Sequence, residues 1–230
     1  MNKKRFIKAV GILPADLNAI REKVETVEKR TSGEIALAII KQSDSYAAIE
    51  LTVASFVAFI FGVIFTIFAG RIQAFLSKFY WLPSISLFAS LFLIFTSTVF
   101  LLTYLFLNIS SSERIFIPKS VRLAKTKRRA YLHFFESGLY KTKERSGILI
   151  FVSVLERTVI VFADEGINAK VEQSEWNEIC QSLILSLKQK KAGKGFLAAA
   201  EQCGEILAKA FPAKAVNPNE LADGLVVLEH

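Results

Sequence analysis

The sequence predicts an α/β protein: a small sheet layered with helices, interrupted by a two-helix transmembrane hairpin. Three observations carry that reading. Residues 51–112 contain no acidic side chain and only two basic ones, Arg71 and Lys78, yet hold 12 of the chain's 20 phenylalanines. On either side, short runs rich in β-branched residues alternate with segments of helical periodicity. The remaining 168 residues carry 27 basic and 21 acidic side chains, an ordinary soluble composition large enough for one core. Disorder, collagen-like repeats and a disulfide scaffold are thereby excluded. A four-ligand zinc site would need both cysteines and both histidines, and their spacings do not suit one.

The chain opens MNKKRFIKAVGILPADL. Lys3, Lys4 and Arg5 imitate the start of a signal peptide, but Lys8 breaks the apolar stretch and Pro14 and Asp16 end it, so no export signal is expected. From Asp16 to Arg30, Leu17, Ile20, Val24 and Val27 share one helical face, with Asp16 as N-cap and Gly33 as the stop. IALAII (residues 35–40) is continuously apolar and fits a strand buried on both faces.

Residues 51–70 are uncharged and reach about 30 Å as a helix, the thickness of the hydrocarbon core. A second uncharged stretch is most apolar over residues 85–109. Neither segment has the polar face that a core helix of a soluble protein this size would need. The link between them carries Phe79, Tyr80 and Trp81, which suit the headgroup layer, and Pro83, which suits the start of the returning helix.

The basic stretch 119–129 leads into a helix expected to end near Gly138. GILIFVSVL (147–155) and TVIVFA (158–163) read as two strands joined by a tight turn at Glu156 and Arg157, hence antiparallel. Ser174 should cap a helix whose stripe is Trp176, Ile179, Cys180, Leu183, Ile184 and Leu187. After Gly193-x-Gly195 a last helix shows Phe196, Ala199, Ala200, Cys203, Leu207 and Phe211, and stops at Pro212. The strand before the hairpin must join strands after it. The soluble domain therefore comprises residues 1–45 and 113–212 around a hairpin at 46–112. The tail, 213–230, is expected outside the core because Pro212 and Pro218 interrupt helix, and its Leu228-Glu229-His230 resembles the start of an expression-tag scar.

Glu28-x-x-Thr31-x-Gly33-Glu34-Ile35 leading into a strand is similar to the opening of TPM domains, the family of thylakoid-lumen, photosystem II repair and receptor-modulator proteins. The likeness continues in Gly147-Ile-Leu-Ile-Phe-Val-Ser, Glu156-Arg157, Val159-Ile-Val-Phe-Ala-Asp164-Glu-Gly166-Ile167, the helix around Trp176, and Gly193-x-Gly195 with the helix after it. It covers roughly residues 16–42 and 130–211, and most resembles a bacterial branch in which a transmembrane hairpin interrupts the domain. The resemblance implies a small α/β/α sandwich. For activity it implies either acid phosphatase chemistry or binding of calcium or another divalent ion, and many members have neither established. It also implies a LemA-like membrane protein as partner. Typical members are exported, whereas the charge bias here points the domain inward.

The acidic candidates are Asp164 and Glu165, in a loop at a strand end where ligand sites of α/β sheets commonly lie. Glu136 on the preceding helix could approach them, and such oxygen ligands would suit Ca2+ or Mg2+. The plainer reading makes Asp164 and Gly166 turn residues and leaves Glu165 solvated. Asp44, in a separate post-strand loop, is a further carboxylate. Arg145 and Arg157 could hold phosphate, but a turn arginine is ordinarily solvated. His133 has no partner in sequence, and Cys180 and Cys203 sit on apolar stripes as buried thiols do. The basic run 119–129 lacks aromatic interleaving, so no nucleic acid is expected; its place beside a span favours anionic lipid headgroups. Gly193-x-Gly195 follows a helix rather than a strand, so it is no nucleotide loop.

No nucleophile–base pair or dense carboxylate cluster is visible. The expected function is therefore a membrane-anchored interaction or assembly module of the cell envelope, with homo-oligomerisation left open. The alternative is a divalent-metal-assisted phosphatase whose catalytic residues the sequence does not identify. Seven cations between Arg114 and Arg129, against Arg71 and Lys78 in the link, place both termini and the soluble domain in the cytoplasm under an inner-membrane hairpin. A cysteine placed in the link between Arg71 and Lys78 should react with an impermeant thiol reagent in intact cells. Labelling of Glu220→Cys instead would invert the topology.

Overall fold

A computed structural model describes residues 3–79, 84–109, 117–142, 144–213 and 224–229. Tyr80, Trp81, Pro83, Arg114, Pro218 and His230, all used above, lie outside the described residues. In chain order the elements are α1 (Lys3–Ala9), α2 (Pro14–Glu28), β1 (Glu34–Ile40), α3 (Ala47–Ile67), α4 (Ala69–Leu76), α5 (Ile85–Leu107), α6 (Lys119–Glu136), a 3-10 turn (Leu139–Lys141), β2 (Gly147–Ser153), β3 (Thr158–Ala163), α7 (Glu165–Asn168), α8 (Gln173–Lys188), α9 (Ala192–Ala210) and β4 (Leu225–Leu228). They form two compact units: Met1–Asp44 with Ser120–His230, and Ser45–Lys119.

The first unit is a four-stranded sheet of order β3-β2-β1-β4. β1 pairs in parallel with β2 from Glu34↔Gly147 to Ile40↔Ser153, so the strand ahead of the apolar hairpin does join those behind it. β2 and β3 pair antiparallel around the Glu156–Arg157 turn, as their sequences predict. Alternate residues of each strand feed opposite cores. Ile35, Leu37, Ile39, Ile148, Ile150 and Val152 pack with α1, α2, α8 and α9. Ala38, Ile40, Leu149 and Phe151 face Ala130 and Phe134 of α6, with Leu139 behind them. The result is an α/β/α layering. It explains why β1 and β2 read as unbroken apolar runs, since both faces of each are covered.

Helix packing on the first face is close. A Cβ built on Gly204 of α9 would lie 2.1 Å from Val27 Cγ1 of α2, so these helices approach nearer than any side chain at that position permits. Helix starts differ from expectation at three places. α2 begins at Pro14, a favoured first position, and the Asp16 carboxylate accepts the Leu13 N–H at 2.8 Å from inside the first turn instead of occupying the N-cap. α8 starts at Gln173 with Glu172 as N-cap, which places Ser174 inside it, and Gly193-x-Gly195 forms the first turn of α9 itself. α2 also stops at Glu28, short of Gly33.

The tail needs correction too. Leu225–Leu228 is not outside the core: it pairs in parallel with β1 from Leu37↔Leu225 to Ile40↔Leu228, and Val227 is buried on the first face. The helix α9 ends at Ala210, ahead of Pro212, as expected, but a strand of LVVL needs no helix to reach the sheet edge. The Leu228 assigned to a tag remnant is a sheet residue.

The second unit contains two helices, Ala47–Ile67 and Ile85–Leu107, each long and apolar enough to cross a membrane. They pack on one another, with the Phe65 ring 5.4, 5.5 and 5.4 Å from those of Phe88, Phe92 and Phe95, and Gly62 against Phe92 and Thr96. Their outward faces leave Phe56, Phe59, Ile67, Leu93, Ile94 and Leu102 exposed, unlike the helices of a soluble core. The first helix begins at Ala47 rather than 51 and ends at Ile67, where Phe68 turns the chain into α4.

Deleting residues 224–230 should lower the melting temperature of the purified chain by roughly 5 °C, because about 1–2 kcal/mol of buried apolar contact is lost in a domain that shifts about 2–4 °C per kcal/mol. An unchanged melting curve would return the tail to the solvent.

Candidate functional site

The motif that opens the domain proves to be a joint. Glu28 Oε1 accepts the Ile35 N–H at 2.8 Å, tying the end of α2 to the start of β1. Thr31 Oγ1 donates to the Phe211 carbonyl at 2.6 Å and accepts the Gly33 N–H at 3.1 Å, fastening the same turn to the end of α9. At the other end of β1, Glu156 Oε1 accepts the Ser43 N–H at 3.0 Å, Ser43 Oγ donates to Ser153 Oγ at 2.8 Å, and Ser153 Oγ donates to Glu156 Oε2. Glu28, Thr31, Ser43, Ser153 and Glu156 are all buried. The hydrogen bonds they make inside the fold account for their placement structurally.

The acidic loop lies beside this joint. Asp164 N–H donates to the Gly147 carbonyl at 3.0 Å, and Gly147 is the partner of Glu34 in β1. Because β3 runs antiparallel, its carboxyl end falls at the amino ends of β1 and β2, so the usual strand-end argument for a ligand site points the wrong way here. Asp164 is the N-cap of α7, its Oδ1 accepting the Glu165 N–H at 2.7 Å. Gly166 is required by close approach: a Cβ there would stand 2.7 Å from the Glu144 carbonyl oxygen. Glu165, 84% exposed, pairs loosely with Arg145 at 3.3 Å. Glu136 is held by Arg129 at 3.0 Å, and that hydrogen bond keeps its carboxyl below the usual range.

These residues do not fit a divalent ion as a set. A feature that would suit a cation is Asp164 Oδ2, which is buried with no hydrogen-bond partner among the described residues. Among the described residues no three carboxylate, histidine or cysteine groups gather closely enough to hold a metal. Asp44 follows the opposite end of β1 from Asp164 and pairs with Lys125 at 3.3 Å. Arg157 is in the β2–β3 turn, at the far end of that hairpin from Asp164, so it does not converge with Arg145.

His133 is buried on α6 with its ring 6.4 Å from that of Phe151. Burial, aided by Arg129, pushes its imidazole below the ordinary value against the opposing pull of Glu136. Cys203 is fully buried, and burial raises both thiols, the opposite of what a reactive cysteine needs.

A different feature emerges on the open side of β3. A groove of about 640 Å³ runs between α6 and α8 with this strand as its floor. One wall carries Leu123, Lys127, Arg128 and Tyr131; the other carries Trp176, Asn177 and Cys180. The helical spacing of Leu123, Lys127 and Tyr131 was legible in the sequence. Their facing a sheet edge was not, because strand order is not written in periodicity.

Residues 114–206 match the model of the TPM domain family. The NMR structure of BA42 protein from the psychrophilic bacterium Bizionia argentinensis is similar in fold, with a TM-score of 0.55 at 20% identity over 94% of each chain. No curated protein matches the sequence. Residues 114–206 of this chain thus form a TPM domain by their family match, and β1, which pairs with β2 of that segment, and two apolar helices precede it.

Proposed function

We propose that this protein is a membrane-anchored TPM domain that serves as an interaction or assembly module. The anchor is the pair of apolar helices, and the charge bias of the flanks supports a domain on the cytoplasmic side. The observation that carries the reading is the groove beside β3: a concave surface mixing aromatic, aliphatic and cationic groups over an unpaired strand edge. A LemA-like membrane protein is a reasonable partner class on family grounds. Lys125 and Arg129 are engaged with Asp44 and Glu136, which leaves Lys127 and Arg128 as the exposed cations of this stretch that line the groove.

A metal-assisted phosphatase is the second reading. It is favoured by the matched family's designation as TPM phosphatase and by the unpartnered oxygen of Asp164. It is opposed by the dispersal of the other carboxylates. The two readings separate in one set of assays on the full chain in detergent. On the interaction reading, hydrolysis of p-nitrophenyl phosphate with added Ca2+ or Mg2+ does not exceed that of Asp164→Asn. A photo-cross-linking residue at Leu123, in the groove, should give protein adducts in native membranes, whereas one at Lys194, exposed on α9, should not. Robust metal-dependent turnover lost in Asp164→Asn would overturn the preference.

A further inference from the structure

The interaction reading names a surface but not a mode of binding, and the geometry of β3 supplies one. Pairs across β2 and β3 alternate between those that exchange backbone hydrogen bonds and those that do not. Asp164, bonded to Gly147, fixes the phase: Thr158, Ile160 and Phe162 turn their backbone groups to β2, while Val159, Val161 and Ala163 turn theirs to the open edge. Of these outward groups, the Ala163 carbonyl is already taken by Asn168 Nδ2 at 2.7 Å. The Val159 carbonyl has only the Cys180 thiol at 3.9 Å, a weak contact. The Val159 N–H turns to the groove, and the Val161 N–H meets the same Cys180 thiol, a weak acceptor that a carbonyl would outcompete.

A second observation is independent of the strand. Trp176 lines the same groove, is 3% exposed, and its indole N–H is buried with no acceptor among the described residues. A buried donor left unpaired is costly, and an occupant bringing a carbonyl or carboxylate would relieve it. The charge of the lining is one-sided as well. Lys127 and Arg128 are exposed on α6, and among the described residues neither is in an ion pair and no carboxylate lines the groove.

We infer, resting on the interaction reading above, that β3 accepts an extended acidic segment of a partner protein as an additional strand, paired through Val159 and Val161 between α6 and α8. Main-chain hydrogen bonds to the edge supply the common affinity, and the alternate side chains of the segment meet the apolar walls. Carboxylates on the α6 side meet Lys127 and Arg128, which fixes the direction and register. A second copy of this chain is a poorer occupant. Pairing β3 to β3 about a two-fold axis would bring Lys127 and Arg128 of both copies together, and like charges meeting at close range oppose it.

The test uses the full chain with Trp81→Phe, in nanodiscs of neutral lipid, and a labelled seven-residue peptide alternating valine and glutamate. The expected result is saturable binding that changes Trp176 emission, weakened at least tenfold by the double charge reversal Lys127→Glu with Arg128→Glu. The same peptide N-methylated on alternate residues, which cannot form the strand ladder, should also lose at least tenfold. Because that change is made in the peptide, it reports on pairing whether or not a protein variant folds. Equal binding of the methylated peptide would overturn strand addition while leaving the interaction reading intact. Self-association that excludes the peptide would assign the edge to a second copy and overturn the proposal. Absence of peptide binding would overturn it too, and the cross-links from Leu123 decide the interaction reading separately.

Discussion

The structure depends on one pairing: β1 against β2 in parallel, across everything the chain does between residues 41 and 146. Among the described residues β1 is the only strand contributed by the segment ahead of the apolar helices, and it occupies an inner position with β2 on one side and β4 on the other. Bringing its ends to register with β2 requires closing a long loop, which costs little more than closing a short one because the entropy grows only with the logarithm of length. What compensates is burial on both faces of both strands. A hairpin insertion is tolerable at this point because the ends of β1 are fastened independently of it. Glu28 and Thr31 hold one end, and the Ser43–Ser153–Glu156 network holds the other.

That fastening also recasts the motif residues. The stretch from Glu28 to Ile35 and the Glu156–Arg157 turn resemble a family signature, and such signatures invite a catalytic reading. Here the hydrogen bonds of Glu28, Thr31 and Glu156 fasten the ends of the strands. The acidic loop is mixed: Asp164 caps α7 through one oxygen while its other oxygen is buried without a hydrogen-bond partner among the described residues, and Glu165 is solvated. Turn chemistry explains the Asp-Glu-Gly sequence without a ligand, except for that single oxygen.

Much of the fold was legible in the sequence, and for physical reasons. Unbroken apolar runs such as IALAII and GILIFVS can only be strands covered on both faces, and the charge-free stretch can hardly be anything but apolar helices. The tail was not legible: LVVL is four residues long, follows two prolines, and acquires its meaning only from the exposed side of β1. The orientation of the acidic loop was not legible either, since the carboxyl end of an antiparallel strand lies at the opposite end of the sheet from those of its parallel neighbours. The groove was missed because Trp176 reads as a core residue and Lys127 and Arg128 as part of a uniform basic run. Only strand order reveals that β3 is an edge flanked by both helices.

An edge strand is ordinarily a liability that proteins blunt with charge, proline or cover. β3 has helices beside it rather than over it, and the groups along its edge that meet only the weakly bonding Cys180 thiol are those a peptide backbone would match. Amide hydrogen exchange on the full chain, read residue by residue along 158–163, tests this most directly. The account predicts slow exchange at Thr158, Ile160 and Phe162 and fast exchange at Val159 and Val161, with the fast pair becoming protected when the valine–glutamate peptide is added. Uniform protection along β3 in the free protein would show that its outer edge is already satisfied and would contradict the account.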